Sequence, residues 1–348
     1  MTSGPIPLAL GVGAAALALS WAATWFVLGQ LRRRAILDLP NERSSHSVPT
    51  PRGGGWGIMM VLAPALVLAG WSTGGWSWAL PILCGTALLV AVSWADDRND
   101  VPAFWRLAAQ AGAVVAGLAA LPADAQVVQG ILPWWADCLG AAFAWIWFVN
   151  LFNFMDGIDG LAGSEAACVG AGLCVVAALA PAAAPAALWP ALWPALWLGS
   201  AVAGAAAGFL PWNWQPARVF MGDVGSIPLG YLLGWLLLLV AGAGFWEAAL
   251  LLPLYFLADA TLTLLKRVLA GKRVWQAHRE HFYQRAVHNG RSHAAVVRLV
   301  LAVNALLAAF AVASVEVGWL AVPPGLAAVA ALLVVLSRRP TPCRRTRA

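Results

Sequence analysis

The chain has 348 residues, of which 61% are hydrophobic and 10% charged, with a mean hydropathy of +0.77. That composition excludes a soluble globular domain, and apolar runs that are continuous rather than alternating disfavour a transmembrane β-barrel. The net charge of +6 sits on no soluble module, which argues against nucleic-acid binding. The expectation is an all-α polytopic membrane protein, a single membrane-embedded domain over residues 1–348.

A span needs about 20 apolar residues. On that measure the sequence predicts eleven helices, at 5–30, 54–72, 77–95, 104–121, 133–153, 161–181, 185–208, 224–242, 247–268, 294–314 and 319–337. The first run lacks a basic lead and is followed by Arg32, Arg33 and Arg34, as in a retained helix whose N-terminus lies outside. Alternation then places the loops 31–53, 96–103, 154–160, 209–223 and 269–293, with the tail 338–348, on one side. All 21 Lys and Arg fall in those segments or within a few residues of them. The positive-inside rule makes that side cytoplasmic and the N-terminus periplasmic. The basic tail suits topogenesis and attraction to anionic lipid.

The remaining features carry less chemistry. Cys84, Cys138, Cys168, Cys174 and Cys343 show no metal-ligand spacing and read as packing residues. Trp189, Trp193 and Trp197 fall on one helical face and read as a packing or lipid-facing ridge. The external loop 122–132 shows no recognisable chemistry.

The cytoplasmic loops are different. Loop one, from Asp38 to Gly55, is rich in Ser, Thr, Pro and Gly. Its three glycines allow close backbone approach at the head of the second helix, and Arg43, His46 and Arg52 could meet phosphate. Loop two holds Asp96 and Asp97, adjacent carboxylates that repel unless a cation or water separates them. Loop three, NLFNFMDGIDGLAG, places Asp156 and Asp159 between two apolar runs, where carboxylates mark function. Loop four ends ARVFMGDVGS, so Asp223 opens a helix whose amides suit an anion while its carboxylate suits a metal. Loop five, if helical, sets His278 and His281 on one face with Arg285 a turn further. Two histidines without a third ligand make a poor zinc site. Asp259, inside a helix, needs a basic partner or a polar cavity.

Five carboxylates and a His/Arg cluster therefore converge on one membrane face. Mg²⁺ binds through one or two carboxylates together with substrate phosphates, so the physics points to Mg²⁺-dependent phosphoryl chemistry with a membrane lipid as one substrate.

At these residues the sequence resembles the polyprenyl-phosphate N-acetylhexosamine-1-phosphate transferases, glycosyltransferase family 4. Four motifs occur in the family's order: DDRND, NLFNFMDGIDGLAG, FMGDVGS and HREHFYQR. The last is most similar to the O-antigen-initiating subgroup, which accepts UDP-activated N-acetyl sugars, 6-deoxy ones included. The resemblance implies transfer of a sugar 1-phosphate from a UDP-sugar to undecaprenyl phosphate with release of UMP, in a bacterial inner membrane, for O-antigen or another surface polysaccharide. It implies Mg²⁺, with Mn²⁺ as a substitute, held by Asp223 and Asp97. It places Asp96 and Asp97 at the lipid phosphate, with Asp97 as base or nucleophile. Asn153, Asp156 and Asp159 would bind nucleotide and shape the site. His278, Arg279 and His281 would hold the sugar pyrophosphate, with Arg52, Arg218 and Arg285 as further substrate-binding cations. A homodimer is consistent with the resemblance alone. The competing class is a secondary transporter, which places its polar site near the midplane, commonly with related halves. Here the polar residues lie at one rim.

Overall fold

The computed structural model describes residues 5–40, 48–122, 126–183, 189–273 and 278–339. Arg43, His46 and the tail 340–348 lie outside the described residues. The helices are α1 (Pro5–Arg33), α2 (Gly55–Thr73), α3 (Trp76–Asn99), α4 (Ala103–Leu118), α5 (Trp134–Phe154) and α6 (Leu161–Ala183). They continue with α7 (Trp189–Asn213), α8 (Asp223–Gly242), α9 (Trp246–Leu251), α10 (Leu254–Leu269), α11 (Phe282–His288), α12 (His293–Val317) and α13 (Val322–Ser337). Two short strands, β1 (Leu37–Asp38) and β2 (Thr50–Pro51), pair antiparallel.

Among the described residues, eight helical segments are long and apolar enough to cross a membrane, and the chain is an all-α polytopic membrane protein. The last of these is the 45-residue stretch His293–Ser337, in which Gly318, at φ 58°, separates α12 from α13. Helix α4, at 16 residues, spans only about 24 Å at 1.5 Å per residue. The helix expected over 247–268 is broken into α9 and α10. Pro253 lies at the break, and proline removes the N–H that a continuous helix would use. In loop five the structure has α11, which begins only after His281.

Helix α8 is the centre of the bundle. It is apolar all round, buried along its length, and packs against α2, α3, α5, α6, α7 and α9. A helix of that kind belongs inside other helices rather than at a lipid face. Its neighbours approach through small residues. Ser200 Oγ donates to the Ala9 carbonyl (2.6 Å) and Ser20 Oγ to that of Ala205 (2.7 Å), closing α1 on α7. Trp193 and Trp197 stack at 5.8 Å on α7, the packing expected of them; the side chain of Trp189 is outside the description. Exposed tryptophans collect at the two ends of the bundle: Trp71, Trp76, Trp134 and Trp319 at one, Trp25 and Trp105 at the other. Indoles favour the two membrane interfaces. Asp137 accepts the Val127 and Val128 N–H groups (3.0 and 2.8 Å), which ties the 126–131 turn onto α5.

Candidate active site

The site is built where two distant loops are stitched together. Phe220 donates its N–H to the Pro51 carbonyl (2.8 Å), and its own carbonyl accepts Gly53 N–H (3.2 Å) and Gly54 N–H (2.8 Å). Gly55 N–H then reaches the Met221 carbonyl (2.9 Å). A Cβ on Gly55 would lie 2.2 Å from Gly225 Cα, so the heads of α2 and α8 touch backbone to backbone. This contact delivers the Arg52 side chain to the first turn of α8.

Arg52 Nε lies 2.9 Å from Asp97 Oδ1, and its Nη2 lies 2.9 Å from Asp223 Oδ1. Asp97 accepts two further bonds, from Asp223 N–H on Oδ1 (3.1 Å) and Val224 N–H on Oδ2 (3.0 Å). The carboxylate from the end of α3 thus caps the positive end of α8, where amides and helix dipole favour an anion. Gly222 at φ +74° leads into this turn; a Cβ there would sit 2.9 Å from Asp97 Oδ2. Burial works against the Arg52 charge, but Asp97, Asp223 and Asp38 outweigh it and hold the guanidinium above its ordinary pKa. Asp96 has further partners of its own. It accepts from Arg106 Nη1 (2.7 Å) and the Val101 N–H (2.8 Å), fixing the α3–α4 turn.

The DGIDG loop supplies the next side. Among the described residues no hydrogen bond reaches the Asp156 carboxylate. Burial first, then the neighbouring charge of Asp223, push its pKa well above the usual carboxylate range against the opposing pull of Arg52. Asn153 Oδ1 accepts from Ser226 Oγ (2.6 Å) and locks α5 to α8. Asp159 faces away and serves the scaffold: Oδ2 accepts the Ala217 N–H (3.1 Å), and Oδ1 lies 3.3 Å from His293 Nδ1.

The histidine arm repeats the capping device. Asp259 is fully buried and accepts the Phe282 and Tyr283 N–H groups (3.0 and 3.1 Å), the first two of α11. His281 Nδ1 lies 3.3 Å from Asp259 Oδ1, and Tyr255 Oη donates to Oδ2 at 3.1 Å, so Asp259 has the basic partner expected of it. His281 precedes α11 and its N–H donates to Gln284 Oε1 (3.3 Å). The two histidines therefore do not share a helix face, although their rings stack at 4.9 Å. Burial, His281 and Arg267 push the His278 pKa down to about 4, so that ring is neutral at neutral pH. Tyr283 Oη donates to the Phe154 carbonyl (2.9 Å), joining the histidine arm to the DGIDG loop.

Beside these groups opens a cavity of about 590 Å³ between α4, α5 and α10, walled by Leu107, Phe143, Ile146, Trp147 and Leu264. Arg106 and Asn153 stand on its lining, the first bound to Asp96 and the second to α8.

The family profile described as glycosyl transferase family 4 matches residues 79–241, from α3 to the end of α8. The chain is 28% identical to a decaprenyl-phosphate N-acetylglucosaminephosphotransferase of Mycolicibacterium smegmatis, over 90% of this chain and 85% of that protein. It is 28% identical to the protein of that name from Mycobacterium tuberculosis, over 80% and 76%. A probable undecaprenyl-phosphate N-acetylglucosaminyl 1-phosphate transferase of Bacillus subtilis is 26% identical, over 74% and 71%. By profile and by relatives, the chain is similar to glycosyl transferase family 4.

The family match takes in Asp96, Asp97, Asn153, Asp156, Asp159 and Asp223, while Arg52 and the histidine arm join from outside it. Three predicted cations stand apart. Arg279 and Arg285 are exposed at the histidine arm. Arg218 packs over the Trp212 ring at 5.7 Å and lines a separate cavity beside α1. Arg106, Ser226 and Tyr283 are site-shaping residues to which the sequence reading gave no role. Arg106 carried a signal, a cation ten residues from Asp96 at the mouth of an apolar helix. Ser226 and Tyr283 lie inside the FMGDVGS and HREHFYQR motifs, but their partners are more than 70 residues away and could not be read from them.

The donor set suits a hard cation. Asp223 and Asp156 offer carboxylate oxygens, and Asp97 is already saturated by N–H donors. Among the described residues no group of three or more His, Cys, Asp or Glu is spaced to hold a metal. Mg²⁺ needs only one or two carboxylates when substrate phosphates complete its shell, and these residues fit that mode.

Proposed function

We propose that the protein transfers N-acetylhexosamine 1-phosphate from a UDP-sugar to undecaprenyl phosphate at the cytoplasmic face of a bacterial inner membrane, releasing UMP. The carrying observation is the placement of the apolar cavity: its Arg106 and Asn153 edge abuts the Arg52, Asp97, Asp223 and Asp156 cluster. An isoprenoid tail would lie along Phe143, Ile146, Trp147 and Leu264, leaving its phosphate at the polar edge. An oxygen of the lipid phosphate attacks the β-phosphorus of the donor. The bond between that phosphorus and the α-phosphate oxygen breaks, and UMP leaves.

Such a step needs positioning and charge neutralisation more than covalent help. Arg52 and the first amides of α8 supply fixed positive character. Asp156, with its raised pKa and unbonded carboxylate, is the group suited to take the last proton of the lipid phosphate. Bound at Asp223, Mg²⁺ would neutralise phosphate charge, with substrate phosphates completing its shell; Mn²⁺ has the same oxygen preference. Asp97 holds the head of α8 in place.

The relatives' names make N-acetylglucosamine the first sugar to test, against the 6-deoxy sugars to which the histidine motif's resemblance points. The test is UMP release from purified protein with undecaprenyl phosphate, Mg²⁺ and UDP donors carrying GlcNAc, GalNAc, QuiNAc or FucNAc. The expected result is release that needs lipid, is abolished by EDTA, and favours one donor. Folded protein that releases UMP with none of them would return the transporter reading to the front.

A further inference from the structure

Arg218, which the active cluster does not use, lines a second cavity of about 570 Å³ between the end of α1 and the α7–α8 connection. Arg32 and Arg33 stand on the same cavity, with Trp25, Phe26 and Trp212, and no carboxylate is among its lining residues. Three guanidinium groups thus share a concave site that the described protein leaves uncompensated. Each wall is fixed. Arg218 packs over Trp212, whose ring lies 5.5 Å from that of Trp21 and donates Nε1–H to the Trp21 carbonyl (3.1 Å). Arg218 N–H donates to the Trp212 carbonyl (2.8 Å), which closes the loop on itself.

The same wall is open to lipid. Trp21, Trp25 and Phe26 are exposed on α1, just where that helix meets its terminal arginines. An indole and phenyl belt under a ring of guanidinium groups matches the section of a bilayer at the headgroup level. We propose that this cavity binds the phosphate-bearing headgroup of an anionic phospholipid from the surrounding leaflet, with the acyl chains running down Trp21, Trp25 and Phe26. Guanidinium forks suit phosphate oxygens, and their weak hydration lowers the cost of leaving water. The site is separate from the carboxylate cluster and does not rest on the proposed transferase activity.

The experiment is native mass spectrometry of the full-length protein from micelles holding equal phosphatidylglycerol and phosphatidylcholine. The wild type is expected to retain phosphatidylglycerol at least roughly tenfold over phosphatidylcholine, given roughly fivefold per cation near an anionic lipid. Arg32→Gln/Arg33→Gln/Arg218→Gln should abolish the preference. Arg218→Gln alone, the milder change, should reduce it roughly fivefold. Arg338→Gln/Arg339→Gln, which removes two cations beyond α13, should leave it intact. Equal loss in that control would show diffuse attraction and overturn the site, as would a preference unchanged in the triple variant. Displacement of the lipid by millimolar inorganic phosphate would overturn the lipid as the source of the anion.

Discussion

Two carboxylates in this protein do the same structural work in different surroundings. Asp97 accepts the first two N–H groups of α8, one on each oxygen, and Asp259 does the same for α11. Each reaches its helix from another element, so each fixes the relative placement of two segments. Their side-chain partners differ. Asp259 is closed in by His281 and Tyr255 with no exposure, while Asp97 shares Arg52, whose side chain keeps 37% exposure. The buried member is a fastener; the other is a fastener at the rim of a reaction cavity. In the proposed reaction the chemical work falls to the neighbours whose oxygens are less committed, Asp156 and Asp223.

The largest expected effect is at the closed end. Asp259→Ala strips two amides, a tyrosine hydroxyl and a histidine of their buried partner, and should cost about 3–5 kcal/mol of stability. Thermal unfolding in mild detergent measures it, and a change below about 1 kcal/mol would dissolve the parallel. Asp97→Asn keeps an acceptor oxygen for α8 but weakens the hold on Arg52. Turnover should fall about 100-fold through misplacement alone, while the unfolding midpoint moves little.

A smaller effect separates the histidines. The His278 pKa is depressed from 6.5 to about 4, so on acidification the unfolded chain takes up that proton first. The associated stability is present above about pH 6.5 and is lost as pH falls toward 4. Unfolding midpoints between pH 7 and 4 should therefore drop less steeply in His278→Gln than in the wild type. Smallest of all, Arg285→Ala at an exposed position should shift stability by no more than about 0.5 kcal/mol. A rise in KM for the donor, with kcat unchanged, would give Arg285 a binding role.

Much of this was legible because charge inside apolar sequence is conspicuous. Asp96, Asp97, Asp156 and Asp223 stand out at the ends of long apolar runs, and the structure gathers them at one end of the bundle. The break at Pro253 was missed in expecting one helix over 247–268, although the proline that removes a helix hydrogen bond stood in the sequence. His281 followed three residues later by Gln284 is a capping pattern, which marks the start of α11 after the histidines rather than before them. What periodicity could not show is the stitching of Arg52 and Gly53–Gly55 to Phe220 and Met221. Those contacts involve two-residue strands and partners more than 160 residues apart, and only the packed backbone reveals them. The capping role of Asp97 was hidden for the same reason.

The central claim is that Asp97 organises the site and forms no bond to phosphorus. The direct measurement uses a UDP-sugar donor labelled at the β-phosphate, mixed with protein and Mg²⁺ in the absence of any polyprenyl phosphate. The account predicts no UMP burst and no label on the protein until lipid is added. A stoichiometric burst without lipid, with label recovered on Asp97, would contradict it.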